Sequence, residues 1–196
     1  MKKEAIRKHF FIISLIVSII SLFVALMGYH YWFYPATIGV WLFFDYLSSR
    51  KNKNKTAFSL ILNKKYKKFA NLYIALAVLG YLIEFIGQYL LKWWYYPELS
   101  EIALLITIPI FYPFILMSFK EMYETIRSFL NNKTITVISA VLLEILIWEV
   151  PNFASKDWIY TITYFPEYFG LNIVIIIGWI FLIIAPVYTY NRTVKF

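Results

Sequence analysis

Residues 10–28 read FFIISLIVSIISLFVALMG, nineteen positions without a single charge. As a helix rising about 1.5 Å per residue they reach about 28 Å, close to the thickness of a bilayer's hydrocarbon core. A helix that is apolar on every side needs an apolar solvent. The whole chain agrees with that reading. Of its 196 residues 61% are hydrophobic and 15% charged, too apolar for an ordinary water-soluble domain of this size. Lys2, Lys3, Arg7 and Lys8 precede the stretch, so it has the outline of a secretion signal. No small-x-small cleavage site follows its long apolar run, and we read it as an uncleaved first helix.

Five further segments of similar character follow, at about 31–49, 70–91, 99–119, 134–150 and 170–190. The second carries Pro35 in its first turn, where a missing N–H costs nothing. Lys and Arg set the orientation. Seventeen of the nineteen lie in the N-terminus, the C-terminus and the connections 50–68 and 120–133. Only Lys92 and Lys156 fall in the alternate connections. The expected architecture is therefore an all-α, polytopic membrane protein of one domain. Six transmembrane helices form three hairpins (about 10–49, 70–119 and 134–190), with both ends in the cytoplasm of a cell membrane. Richness in Lys, Ile, Asn, Phe and Tyr points to a bacterial source. The net charge of +8 does not imply nucleic acid, because the basic residues sit where a membrane protein places them.

The two basic connections also carry apolar residues at helical spacing. Phe58, Ile61, Leu62, Tyr66 and Phe69 mark the first, and Met122, Ile126, Phe129 and Leu130 the second. Both predict amphipathic helices lying on the inner leaflet, with the lysines of 50–68 on anionic lipid. In the first span Ser14, Ser18, Ser21, Ala25 and Gly28 form one face of small residues. Such faces let helices approach closely, and this one is a candidate docking surface for a partner subunit or for another helix of the same chain.

An aromatic motif recurs: Trp32-Phe33-Tyr34-Pro35, Trp94-Tyr95-Tyr96-Pro97 and Trp158-Ile159-Tyr160 with Pro166 beyond, the tryptophans 62 and 64 residues apart. Trp and Tyr favour the membrane interface, and a fixed period is also what a duplicated hairpin leaves behind.

Ionisable groups inside a membrane are costly and mark candidate sites. Glu84 lies ten residues before Trp94, about 15 Å below the outer belt. Gln88 is one turn on, and Gly80 and Gly87 flank the same face, leaving room for a second helix. Glu144 has a comparable position in the fifth span, followed by Trp148 at i+4, by Glu149, and by Pro151, where the helix is expected to end. The loop 152–169 with Asp157, Trp158, Tyr160, Tyr164 and Glu167 is the longest on the outer side and a candidate lid. Asp45, near the inner end of the second span, is expected to reach the headgroups or pair with Arg50 or Lys51. The candidate ligand set is Glu84, Gln88, Glu144, Trp148, Glu149 and Trp158, with Glu84 and Glu144 the candidate acids or bases. Cysteine is absent and histidine occurs twice, so no metal site or cofactor is expected.

The order Glu84…Trp94-x-Tyr96-Pro97 and Glu144…Trp158-x-Tyr160…Pro166, over residues 80–180, resembles carotenoid-modifying multipass enzymes of the lycopene-cyclase and bacterioruberin-hydratase kind. It is most similar to the multipass families of low-GC bacteria that share the pattern. The first resemblance implies an intramembrane Glu acting as acid or base on an isoprenoid. The acidic Pro-x-Glu-Glu helix of the cyclases is missing. In size, basic charge and six-helix plan the chain is also similar to the substrate-binding subunits of energy-coupling-factor vitamin importers, with Ser14-x-x-x-Ser18 similar in character to their docking helix. Two functions follow as expectations. One is a protein that binds or moves a small amphipathic ligand, or serves in a membrane assembly. The other is a membrane enzyme modifying a lipid or isoprenoid.

Overall fold

The computed structural model describes residues 2–52, 55–162, 167–168 and 171–194. Lys53, Asn54, Tyr164, Pro166, Phe169, Gly170 and Lys195, which entered the sequence reading, lie outside them, as does the side chain of Glu167. The fold is all-α. In chain order the helices are α1 (Lys2–Leu26), α2 (Phe33–Lys51), the short α3 (Ala57–Leu62), α4 (Tyr66–Glu84), α5 (Glu101–Arg127), α6 (Lys133–Glu144), α7 (Val150–Ser155) and α8 (Ile173–Thr193). A π-helical turn, Phe85–Leu90, continues α4, and a second, Ile145–Glu149, joins α6 to α7. Pro151 sits in the first turn of α7, so the helix runs past it to Ser155 instead of ending there. Two-residue strands β1 (Trp94–Tyr95) and β2 (Ile159–Tyr160) pair antiparallel, as do β3 (Glu167–Tyr168) and β4 (Leu171–Asn172).

Among the described residues five helices are long and apolar enough to cross a membrane: α1, α4 with its π turn, α5, the α6–α7 run, and α8. This is a helical membrane protein of the multipass type. The expected second span differs. α2 carries Asp45, Arg50 and Lys51 in its last two turns, which shortens its apolar stretch. It is also the helix least in need of lipid, because it packs between α1 and α5.

Helix ends follow local chemistry. Ser100, Asn132 and Asn172 accept from the backbone N–H of Ala103, Ile135 and Val174, which fixes the starts of α5, α6 and α8. Inside α5, Pro109 cannot donate to the carbonyl four residues back. The Tyr81 hydroxyl donates to that carbonyl, Leu105 O, at 2.6 Å. The freed acceptor is thus satisfied within the bundle, as a lipid environment demands.

The small-residue face of α1 is covered by the chain itself. Ser14, Ser18, Ser21 and Ala25 are buried. A Cβ at Gly39 of α2 would lie 2.6 Å from the Ser18 Oγ and 3.1 Å from the Ser14 carbonyl. The face therefore seats α2, which corrects its reading as a surface for a partner subunit. Gly28 lies just beyond the helix, at φ +81° in the exposed turn between α1 and α2. The opposite side of α1, with Ile12, Ile16, Ile19 and Phe23, is exposed and faces lipid.

The inner connections also depart from expectation. α3 is folded against the bundle and does not float on the leaflet. Ala57 and Leu60 are buried, and Phe58 meets Phe10 and Trp41 edge-on at 5.3 and 6.2 Å. Phe69 stacks on Trp41 at 6.5 Å. The cause is a set of buried acceptors. Asp45 accepts from the Phe58 N–H (2.8 Å) and from the Thr56 hydroxyl (2.9 Å), and Glu121 accepts from the Ala57 N–H (3.0 Å). Asp45 pairs with Arg7 at 3.2 Å, not with Arg50 or Lys51. The expected second surface helix is instead the last two turns of α5. There Lys120, Glu121, Met122 and Tyr123 are buried, and Lys120 and Glu121 pair at 3.0 Å. Phe129 stays exposed beneath the Lys51 ammonium.

Candidate functional site

Both ends of the bundle are knitted together. At one end Lys3, Arg7, Lys51 and Lys120 bond to Asn63, Asp45, Ser128 O and Lys55 O. At the other end the three aromatic turns converge. The Tyr31 N–H donates to Asp157 (3.0 Å), and the Trp32 indole donates to Ser155 (2.8 Å). Strand β1 lies on β2 with Trp94 opposite Tyr160, and Thr161 donates to the Lys92 carbonyl. The recurring motif is therefore more than an interfacial belt, because its second and third copies pair with each other.

Beneath this paired roof is a cavity of about 370 Å³ between α4, α5 and α8. Its lining is apolar apart from Thr107 and the hydrogen-bonding edges of Trp and Tyr side chains. Leu82 and Ile86 on the α4 side and Phe181 on α8 line it and are themselves exposed, so the cavity reaches the lipid-facing surface between these helices.

Two carboxylates stand behind its aromatic wall. Glu84 is buried and uses both oxygens. Oε1 accepts from the Tyr96 hydroxyl (2.7 Å) and from the Tyr112 hydroxyl, and Oε2 accepts from the Trp94 indole (3.0 Å). Two glycines make this possible. A Cβ at Gly80 would fall 2.8 Å from the Tyr112 side chain, and one at Gly87 would fall 1.7 Å from the Trp94 ring. Gly80 thus admits a neighbouring helix as expected, whereas Gly87 admits an indole from the following turn. Glu149 is also buried. Its Oε1 accepts from the Tyr160 hydroxyl (2.5 Å) and the Trp179 indole (3.1 Å), and its Oε2 has no partner. The Trp158 indole donates to the Tyr160 hydroxyl at 3.2 Å.

The donors Trp94, Tyr96, Tyr112, Tyr160 and Trp179 all line the cavity, while neither carboxylate does. Burial, and after it the charge of Glu84, pushes the Tyr96 phenol well above its ordinary range. Burial and Glu149 do the same to Tyr160. Both phenols therefore remain protonated donors at neutral pH.

The other candidates are placed differently. Glu144 is fully buried, the Trp148 indole four residues on acts on its carboxyl, and it does not line the cavity. Glu84 and Glu144 therefore do not share it. By its bonding, Glu149 and not Glu144 is the counterpart of Glu84. Gln88 is half-buried, with its Oε1 unpartnered and no bond to Glu84. Trp148 and Trp158 both line the cavity, with the Trp32 ring between them at 5.8 and 6.2 Å. The Trp148 indole N–H is closed off from the cavity and acts on the Glu144 carboxyl. Sequence reasoning passed over Tyr112 and Trp179. A tyrosine and a tryptophan inside apolar spans were the available signal, since buried hydroxyl and indole groups seek acceptors.

Comparison of the chain with protein-family models, with curated proteins and with solved structures gives no match.

Proposed function

We propose that this protein binds an elongated apolar molecule, taken sideways from the membrane into the cavity between α4, α5 and α8. The observation that carries this reading is the cavity itself: apolar along its length, hydrogen-bonding at its roofed end, and lined by residues exposed to lipid. Sites for small ligands share this form, mostly apolar with a few placed polar groups. In the same proposal the chain makes six passes in three hairpins, with α2 as the shielded second pass and both ends cytoplasmic. Support comes from the Lys and Arg distribution and from the gathering of the basic connections at one end of the bundle. Lys64 and Lys67, exposed beside α3, would then meet anionic headgroups.

The test is extraction of small molecules from gently solubilised protein, with Gly178→Leu as comparison. Gly178 lines the cavity, and a Cβ there meets nothing within 4 Å, so a leucine side chain starts into open space at the cavity wall. The wild-type protein should carry a lipophile that Gly178→Leu loses. A wild-type protein that comes out empty refutes the proposal.

A second reading, an enzyme acting on an isoprenoid, is favoured by one observation. The Tyr96 and Tyr112 hydroxyls connect the Glu84 carboxylate to the cavity, so a proton could pass from acid to bound alkene through a phenol. Membrane lipid profiles of cells carrying Glu84→Gln or Tyr96→Phe decide it. Profiles that match wild type in both variants eliminate this reading.

A further inference from the structure

We infer that the molecule held in this cavity ends in an uncharged hydroxyl group, located at the roofed end, and that anionic and cationic amphiphiles are turned away. The inference rests on the binding reading above and specifies its ligand. Among the described lining residues there is no Lys, Arg or His. A phosphate or carboxylate end group would lose its water and find no cation, whatever the charge state of the carboxylates beyond the wall. If those are ionised, they repel it as well. An ammonium group fares no better. Glu84 and Glu149 stand behind Trp94, Tyr96, Tyr160 and Trp179; both Glu84 oxygens are already occupied, and the unpartnered Glu149 Oε2 is closed off from the cavity.

A hydroxyl fits what remains. Its proton needs an acceptor. The phenol oxygens of Tyr96 and Tyr160 give their protons to carboxylates and keep a lone pair for a ligand O–H, Tyr160 also accepting from the Trp158 indole. Both tyrosines line the cavity, and Tyr160 stands opposite Trp94 in the β1–β2 ladder, so the spare acceptors belong to the roofed end. With no cation in the lining, an uncharged group that donates one hydrogen bond is the polar end this wall can satisfy.

The experiment uses the full chain in lipid nanodiscs and reads quenching of its tryptophans, five of which line the cavity. The probes are a midchain-dibrominated hexadecane and its analogues ending in hydroxyl, carboxylate, phosphate or ammonium. The alcohol should quench at a concentration about tenfold lower than the alkane, equivalent to one hydrogen bond to a buried acceptor. The three charged probes should be weaker than the alkane. A probe ending in a methyl ether, which can accept a hydrogen bond but not donate one, should bind no better than the alkane. Equal or tighter binding of any charged probe, an ether as good as the alcohol, or an alcohol no better than the alkane overturns the inference and leaves the binding reading standing. No quenching by any probe, the alkane included, overturns the binding reading itself.

Discussion

Gly87 is the position where a single carbon should do most damage. It lies in the π-helical turn after α4, and a Cβ built on it would come 1.7, 2.2 and 2.3 Å from three atoms of the Trp94 ring. The contact is with the rigid end of an indole, so Gly87→Ala must push Trp94 aside. Forcing a methyl group into a packed interior costs about 1–3 kcal/mol. Displacing the ring also breaks its 3.0 Å hydrogen bond to Glu84, a further loss of about 1 kcal/mol. Against this, alanine replaces glycine in a helix and returns about 1 kcal/mol. The net is about 1–3 kcal/mol, which lowers the midpoint of thermal unfolding in detergent by about 3–9 °C for a chain of this length. Gly178→Ala supplies the control, with the same substitution, also helical, but open space around the new methyl. It should hold or raise the midpoint. Trp94 should also shift in fluorescence in the first variant and not in the second. If Gly87→Ala unfolds at or above the wild-type temperature with unchanged emission, the placement of Trp94 against the π turn is wrong, and with it the support given to Glu84.

Three further outcomes follow from the way the carboxylates are bonded. Glu84→Gln leaves one oxygen to serve three donors and should cost about 1–3 kcal/mol, whereas Glu149→Gln, which replaces an oxygen that has no partner, should cost less than about 1 kcal/mol; thermal midpoints of the pair rank them. Glu144→Met removes a fully buried carboxyl served by the Trp148 indole and should leave the protein as stable or stabilise it by up to about 2 kcal/mol, so a lowered midpoint would expose a partner or a role that the structure does not show. Gly39→Val drives a side chain into Ser18 and the α1 backbone and should separate α1 from α2, read as protease cleavage within residues 27–32 that the wild-type protein resists.

Much of this was readable from residue order. The apolar runs mark the helices, because lipid leaves a chain few alternatives to hydrogen-bonding its own backbone. The recurring Trp-x-Tyr marks the turns that meet at one end, and Glu84 before Trp94 marks half of the wall. What was hidden depended on geometry that residue order does not carry. No residue pattern announces a π-helical turn, and α7 adds a helical turn after Glu149. The apparent match of Glu84 with Glu144 therefore slips by five positions. The inner connections misled for an electrostatic reason. Lys120 and Glu121 look like surface charges, yet each neutralises the other at 3.0 Å and both are buried. Asp45 and Glu121 likewise draw α3 inward by accepting its first N–H groups, which turns a stripe meant for lipid into core.

The pairing of β1 with β2 has a consequence for biosynthesis. Trp94 and Tyr160, which face each other in that ladder, are 66 residues apart in the chain. At about 5–20 residues per second, ribosomes separate their emergence by about 3–13 seconds. Glu84 does not wait for that. Its three donors, Trp94, Tyr96 and Tyr112, all follow within 28 residues and can reach it as soon as α5 is inserted. Glu149 must wait for Trp179, which arrives on α8. α4 and α5 can thus come together with their acid already satisfied, and the segments from α6 to α8 complete the roof over a space that does not exist before α8 is in place. On the proposed reading its ligand can be loaded only after that step, from the side.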